Sequence, residues 1–454
     1  MHTWLHIGLG SFHRAHQAFY LNQYRAKVAQ DWRLVGGNIR PDAERTVQGI
    51  NAQGGRYTLM TVAPNGTAQY HTITSIEHCI PFEADGKSLM EQGAAADTAI
   101  ISFTVTEAGY YLRPDLHLDL EAPAVADDLA GKSLTIYGAI AGILALRKQT
   151  GAPKVTLLCC DNVRENGTKF HHALCDYLKA KGQAELIAYL EANCTCPNTM
   201  VDRITPRPAE TLSADIKKAT GIEDCVPVMS EEFIQWVVED KFAAGRPALE
   251  QVGVEFVPSV MPYEDAKLRI LNASHSALAF AGTLAGKNFV YECAQDAAIC
   301  KIAYDYVTDN VIPCLKAKSP NGQHPLNLEQ YRDVVLERFK NSFIKDTLQR
   351  ITQDSLSKVN TFILPTLQDS WHLGRKADET LKVCAYYYKF LQLWHAGKVP
   401  FEYQDSTFDP QKWHELLSQD NAPELFAQCS DLFGTLSAEP SFVKALQSAI
   451  AQLN

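Results

Sequence analysis

Lys267, Asn272 and His275 sit inside a core-like stretch, PYEDAKLRILNASHSALAFAGTLAG at 262–286. Apolar residues recur at Leu268, Leu271, Ala277, Leu278 and Phe280, and Pro262 suits a first helical position. The spacing predicts one long helix over 262–286. On it Lys267, Leu271 and His275 stand at i, i+4 and i+8 and share a stripe, with Asn272 at the edge of that face. A lysine, an amide and an imidazole on one face can serve proton transfer. A lysine in a poorly solvated place loses proton affinity and becomes a base near neutral pH. The amide can donate to an alcohol or carbonyl oxygen, and the imidazole can orient either. The same residues also fit a surface lysine, a helix-bonded amide and a satisfied histidine, and this stretch alone does not decide between the two.

The segment from Thr3 to Lys27 predicts a strand at Trp4–Ile7, a tight turn at Gly8 and Gly10, and a helix through Phe19, Tyr20 and Tyr24. Glycines between a strand and a helix let a dinucleotide pyrophosphate approach backbone N–H groups. Phe12, His13 and Arg14 open the helix beside that place, and His13 stands where the usual fingerprint has a third glycine. A purely structural turn is the alternative. The next strand, Trp32–Gly37, ends in Asn38, Ile39 and Arg40 instead of the acidic residue that binds a ribose hydroxyl. NAD is the expected cofactor; Arg40 leaves NADP open, since an arginine here suits a 2′-phosphate. A third buried strand, Ala99–Val105, ends in Thr106 and Glu107, and a fourth, Val155–Cys160, runs into Asp161 and Asn162. Polar loops at the carboxyl ends of such strands are where α/β proteins bind ligands. Asp202 beside Arg203 reads as a buried pair or as a site carboxylate. Arg350 and Lys358 flank a turn and read as solvated cations or as contacts to a polyhydroxylated ligand.

The remaining elements fit around these positions. Two antiparallel strands over 56–80 are joined by a turn at 63–66. Helices are predicted at 131–147, 168–181 and 184–191. The stretch 231–240 mixes strand and helix signals, and 250–260 is extended. Beyond 262 the chain is helical, with helices at 297–315, 328–339, 344–353, 377–397, 410–417 and 442–453. The fold class is therefore α/β: a Rossmann-type dinucleotide-binding domain at 1–256, then a mostly α-helical domain at 257–454.

Composition narrows the functions. A chain of 454 residues with 46% hydrophobic and 21% charged residues is an ordinary globular protein. A net charge of −10 argues against nucleic acid or an anionic membrane as partner. No apolar run spans a bilayer and no secretory leader precedes Trp4, so a cytoplasmic location is expected. The 12 cysteines are scattered, as reduced thiols are. Cys194 and Cys196 form a CxC and Cys159 and Cys160 are adjacent, but no second CxxC or HxxxH completes a tetrahedral set, so no metal is expected.

The motifs GLGSFHRAHQAFY at 8–20, FTVTEAGYY at 103–111, CDNVRENG at 160–167, TMVDRITP at 199–206, EEFIQWVVED at 231–240 and KLRILNASH at 267–275 resemble those of the long-chain, zinc-independent polyol dehydrogenases, the mannitol dehydrogenase family. The resemblance covers essentially the whole chain. It implies an enzyme that transfers hydride between a polyol and NAD without metal, as a monomer. It implies that Lys267 is the base, that Asn162, Asn272 and His275 act with it, that Asp202, Arg350 and Lys358 bind substrate, and that Glu264 gates proton exit. Within the family, GNIRPDAE at 37–44 and VDRITPRPAE at 201–210 are most similar to members taking D-arabinitol to D-xylulose. D-Mannitol to fructose and a hexuronate remain open.

Overall fold

The computed structural model describes residues 1–113, 115–405 and 407–453. The chain forms two compact units, Met1–Ala63 with Thr67–Met261, and Pro64–Gly66 with Pro262–Asn454. The division thus falls after Met261, where the sequence put it after Phe256.

In the first unit β1 (His2–Ile7), β2 (Trp32–Gly37), β3 (Tyr57–Val62), β4 (Ala68–Ile73), β5 (Ile76–Cys79), β6 (Thr98–Phe103), β7 (Val155–Cys159) and β8 (Cys194–Thr195) come in turn. Six of them form one parallel sheet in the order β5-β2-β1-β6-β7-β8. The apolar runs that predicted these strands are apolar throughout because both faces are covered. Trp4, Leu34, Ile100 and Leu158 point into one core, and Leu5, Val35, Ile101 and Leu157 into the other. The helix predicted after the glycine turn is two pieces, α1 (Ser11–Ala15) and α2 (Gln17–Lys27). His16 breaks it, its Nε2 bonded to the Gln235 carbonyl at 2.9 Å. α2 packs on the first core and α3 (Ile136–Thr150) on the second. The predicted start of α3 moves from 131 to 136 because the Thr135 side chain accepts from the N–H groups of Tyr137 and Gly138 and caps it.

After β7 come α4 (Asn166–Ala180) and α5 (Ala184–Asn193), then β9 (Thr199–Asp202), β10 (Val228–Glu231), β11 (Gln235–Glu239) and β12 (Glu255–Val257). The expected hairpin is β3 with β4, and β10 joins it parallel to β3. β11 resolves the ambiguous stretch 231–240 in favour of strand, paired with β9 and β12.

The second unit is built of helices. Its axis is α6 (Met261–Ala266), a π-helical turn at Lys267–Asn272, and α7 (Ala273–Leu284). α7 is buried except at its last residue, its apolar residues and small polar ones alike. The predicted helix 344–353 begins only at α8 (Leu348–Thr352), followed by α9 (Ser355–Lys358). Asp346 and Thr347 are instead held extended: Asp346 gives its carbonyl to Val290 N–H at 3.0 Å, and Leu348 N–H bonds the Asn288 carbonyl at 2.9 Å. Phe280 of α7 packs on Tyr387 and Phe390 of α10 (Asp378–His395), with ring centroids 4.8 and 5.7 Å apart. Two more π turns, at Tyr306–Val311 and Val359–Ile363, interrupt helices of this unit. No helix among the described residues is long and apolar enough to cross a membrane.

Candidate active site

The π turn of the second unit begins at Lys267 and ends at Asn272. Such turns close i→i+5 and are frequent at functional sites. In an i→i+5 turn the position that follows Lys267 by one turn is Asn272, where the expected α-helical stripe had Leu271; Leu271 is buried. Lys267 is 6% exposed, so its ammonium form would be poorly hydrated. Asn272 presents a shielded Oδ1 with no hydrogen-bond partner among the described residues. Glu264, one turn before the lysine on α6, is also buried.

His275 stacks on Phe339 with ring centroids 4.5 Å apart, and its Nε2 lies 3.5 Å from an Asp346 carboxylate oxygen. Burial holds its pKa down to about 4; Asp346 pulls it upward, and Arg350, Lys358 and Arg338 press it lower. The ring is therefore neutral in any ordinary buffer. Asp346 is buried, which would raise its pKa, but the hydrogen bonds from Arg350 and the charges of Arg350 and Lys358 outweigh burial and leave it below the usual carboxylate range. Arg350 donates to it from Nε at 2.6 Å and from Nη2. Lys358 caps the Ile351 carbonyl at 3.0 Å and leads into the third π turn. The structure thus brings Lys358, Arg350 and His275 into one charged cluster with two residues the sequence did not single out, Asp346 and Arg338. The i, i+4 spacing of Asp346 and Arg350 was the available signal.

In the first unit, the strand order reverses direction between β1 and β6, the switch point where open α/β sheets bind ligands. The turn after β1 holds Gly8 at φ +109, and a Cβ there would meet the Thr104 carbonyl oxygen at 2.2 Å. Only glycine fits. Gly10 differs: it has an ordinary φ of −71 and open space where a Cβ would project, so a ligand can approach its backbone. Buried side chains pin this turn. Trp4 Nε1 donates to Ser102 Oγ at 2.6 Å, Ser102 Oγ–H meets His6 Nδ1 at 2.7 Å, and His6 Nε2–H is left for the Gly8 carbonyl at 3.0 Å. Asn38 Oδ1 accepts from Leu9 N–H at 2.9 Å, so that oxygen supports the turn from within.

His13 and Arg14 do not fit the cofactor contacts expected of them. The His13 ring is wholly buried and stacks on His6 at 3.3 Å, filling the place of the missing third glycine. Arg14 is buried too; it donates to the Val226 carbonyl and lies over the Tyr57 ring at 5.5 Å. Phe12 stacks on His16 at 4.9 Å. Arg40 is exposed and donates to Tyr111 Oη at 2.9 Å.

The loop after β6 carries a strained residue. Thr106 has φ +66 and ψ 164, a region that essentially only glycine occupies. Asp161 holds it there, accepting from Val105 N–H at 3.0 Å and Thr106 N–H at 2.8 Å, with Tyr110 Oη at 3.2 Å. Burial raises the Asp161 pKa to about 6 against these donors. The sequence placed Asp161 in this polar loop beside Asn162 but gave no sign that it fixes the loop after β6. Asn162 is exposed on the loop after β7, and Glu107 on the loop after β6. Asp202 is buried at the end of β9, while the Arg203 guanidinium goes to the carbonyls of Glu231 and Ala15.

A glycine turn at the switch point of a parallel sheet, joined to a helical unit carrying a buried lysine, defines a dinucleotide-dependent oxidoreductase. Comparison with known proteins narrows the class. Residues 2–251 match the mannitol dehydrogenase Rossmann domain and residues 259–454 the mannitol dehydrogenase C-terminal domain. The chain is 48% identical to D-arabinitol 4-dehydrogenase of Klebsiella pneumoniae, covering 99% of this chain and 97% of the relative. It is 47% identical to the D-arabinitol 4-dehydrogenase of Ralstonia nicotianae, covering 99% and 96%. The structure of Pseudomonas fluorescens mannitol 2-dehydrogenase with NAD and D-mannitol superposes with a TM-score of 0.85 at 31% identity, covering 100% of this chain and 92% of that one. The chain belongs to the mannitol dehydrogenase family of polyol dehydrogenases.

Proposed function

We propose that the chain oxidises D-arabinitol to D-xylulose with NAD, using Lys267 as base. The observation that carries the chemistry is the π turn with buried Lys267 at its head and Asn272 at its end, whose amide Nδ2 is the group that can donate. The substrate rests on identities of 48% and 47% to D-arabinitol 4-dehydrogenases over nearly the full length.

Lys267, in its neutral form, takes the proton of the reacting hydroxyl. Asn162 and Asn272 donate to the developing alkoxide, as the donors of an oxyanion hole do. His275, uncharged above about pH 4, holds lysine and substrate oxygen in line. Glu264 passes the proton onward. Asp202, Arg350 and Lys358 take the distant hydroxyls, which selects one carbinol carbon from several similar ones. A lysine base and two amide donors supply what a catalytic metal would otherwise supply, so these steps use none.

The residues present fit the dinucleotide: the open side of Gly10 admits a pyrophosphate to the backbone. Gly8 and Gly10 would hold it, with Phe12, Asn38, Thr106 and Glu107 near the rest of the cofactor. Bound NAD supplies the hydride acceptor. Arg40 is tied to Tyr111, which favours NAD over its phosphorylated form.

The test is an initial-rate assay at mildly alkaline pH with EDTA, comparing D-arabinitol, D-mannitol, D-sorbitol and xylitol, each with NAD and NADP. Fastest turnover of D-arabinitol with NAD is expected. Turnover led by mannitol would keep the mechanism and change the substrate. A preference for NADP would assign Arg40 to the 2′-phosphate. Activity that depends on added zinc and is unaffected by Lys267→Ala would overturn the lysine mechanism.

A further inference from the structure

Helices α4 and α5 pack beside one another in the first unit, and three unlike ligand atoms converge where they meet. His171 and Cys175 stand at i and i+4 on α4 and so share a face. Glu191 comes from the last turn of α5. The His171 ring nitrogen, the Cys175 sulfur and a Glu191 carboxylate oxygen all lie within 4.8 Å of one another. The closest pair, His171 Nε2 and Glu191 Oε1, is 3.1 Å apart.

We infer that His171, Cys175 and Glu191 form a binding site for a divalent cation of zinc type, separate from the residues assigned to catalysis. Zinc bonds of about 2.0–2.3 Å put tetrahedral ligands roughly 3.3–3.8 Å apart. The nitrogen and the oxygen are already near that separation. The sulfur needs only to swing inward by about 1 Å, a side-chain adjustment, to complete three corners. A set of one imidazole nitrogen, one thiolate and one carboxylate suits zinc, and it does not suit calcium or magnesium, which take oxygen ligands. The fourth corner is left to water. His171 and Glu191 side chains are 27% and 60% exposed, so an ion has a way in.

The surroundings are rich in sulfur. Cys194 and Cys196, both half-buried, follow α5. Binding is balanced by one proton: the Cys175 thiol gives its proton to solvent as the sulfur–metal bond forms, and His171 binds through its neutral ring. The ion would link α4 to α5. The first residue of α4, Asn166, donates to the carbonyls of Asp161 and Thr199 at 3.0 Å each, so the linked helices support the strand end and loop that carry Asn162. The cluster escapes a search for paired cysteine or histidine motifs because its ligands are spaced HxxxC and then join a glutamate 16 positions on from Cys175.

The test uses the full chain, stripped with EDTA, kept reduced and titrated with ZnCl2 and separately with CoCl2. One ion per chain is expected, with a cobalt–thiolate charge-transfer band and a zinc-dependent rise in thermal midpoint. In Cys175→Ser the band should disappear. In Glu191→Gln and His171→Gln zinc affinity should fall by about tenfold or more, the size of effect that perturbing a metal's shell has elsewhere. Glu191 is exposed, so its variant keeps the fold whatever happens at Cys175. A band that survives in Cys175→Ser, or zinc affinity in Glu191→Gln within about twofold of the parent, would overturn the site, since a loss of one ligand must weaken it. So would binding that is lost in His414→Gln but kept in the cluster variants, because the exposed His395–His414 pair, 2.7 Å apart at Nδ1, is the competing cation site.

Discussion

The two units hold their chemistry in place by opposite means. In the first, the groups proposed to meet the dinucleotide are backbone, and side chains fix them: His6 on the Gly8 carbonyl, Asn38 on Leu9 N–H, Asp161 on Val105 and Thr106 N–H. In the second, the groups offered are side chains, and burial and charge fix them: Phe339 stacks on His275, while Asp346 orders Arg350 and Arg338 and Lys358 act on the same imidazole. The difference follows from the task. A diphosphate is bound by converging N–H groups, so what matters is the path of the chain. Proton transfer needs titratable groups whose charge state is set by burial and neighbours.

The contrast can be broken at four places. Lys267→Ala should cut turnover by on the order of 10²–10⁴ while NADH binding, followed by fluorescence, stays intact. Near-normal turnover would remove the lysine from the chemistry. Asp346→Asn comes next. It releases Arg350 and leaves the imidazole among cations, and kcat/KM should drop by about 10–100-fold, the cost of unpairing a charged hydrogen bond. An unchanged kcat/KM would show that charge does not order this site. The glycines separate a ligand role from a structural one. Gly10→Ala should weaken NADH binding by about tenfold at an unchanged thermal midpoint, since its Cβ meets only open space. Gly8→Ala should lower the midpoint as well, because its Cβ collides with the Thr104 carbonyl. Equal midpoints for both would contradict the pinned turn.

The smallest effect is on pH dependence. His275 has a folded pKa of about 4, below its unfolded value, so its contribution to stability is present above about pH 6.5 and is lost as pH falls toward 4. Asp161, raised to about 6, has the opposite sign: its contribution is present below about pH 4 and is lost as pH rises through 6. Urea midpoints between pH 4 and 6.5 should rise less steeply with pH in His275→Gln than in the parent, and more steeply in Asp161→Asn. The slope in His275→Gln should not vanish, because buried His6 also has its pKa held down, to about 3, by burial. Parallel slopes in all three would dismiss both assignments.

What the sequence revealed divides along similar lines. Strands such as β1 and β6 were legible because a strand covered on both faces is an unbroken apolar run. The candidate residues Lys267, Asn272 and His275 stood out because polar groups are rare on a buried helix. The π turn was not legible, since nothing in KLRILN distinguishes i→i+5 from i→i+4 bonding. His13 and Arg14 misled because position along a motif says nothing of side-chain direction; the first turned into the core to stack on His6, and the second went to the Val226 carbonyl. Asp346 was hidden because its neighbours carry a helical pattern that pairing with Asn288–Val290 overrides.

A π turn is, in the chain's own arithmetic, one residue too many for an α-helix. The same helix could be built with that residue removed, and it would remain continuous. Deleting Ile270 would therefore let the turn close as ordinary α-helix, with Asn272 four positions from Lys267 and still on its face. The candidate side chains would all remain, and what would be lost is the widening of the backbone between them. The surplus residue at Lys267–Asn272 is a local width, written into the length of the chain.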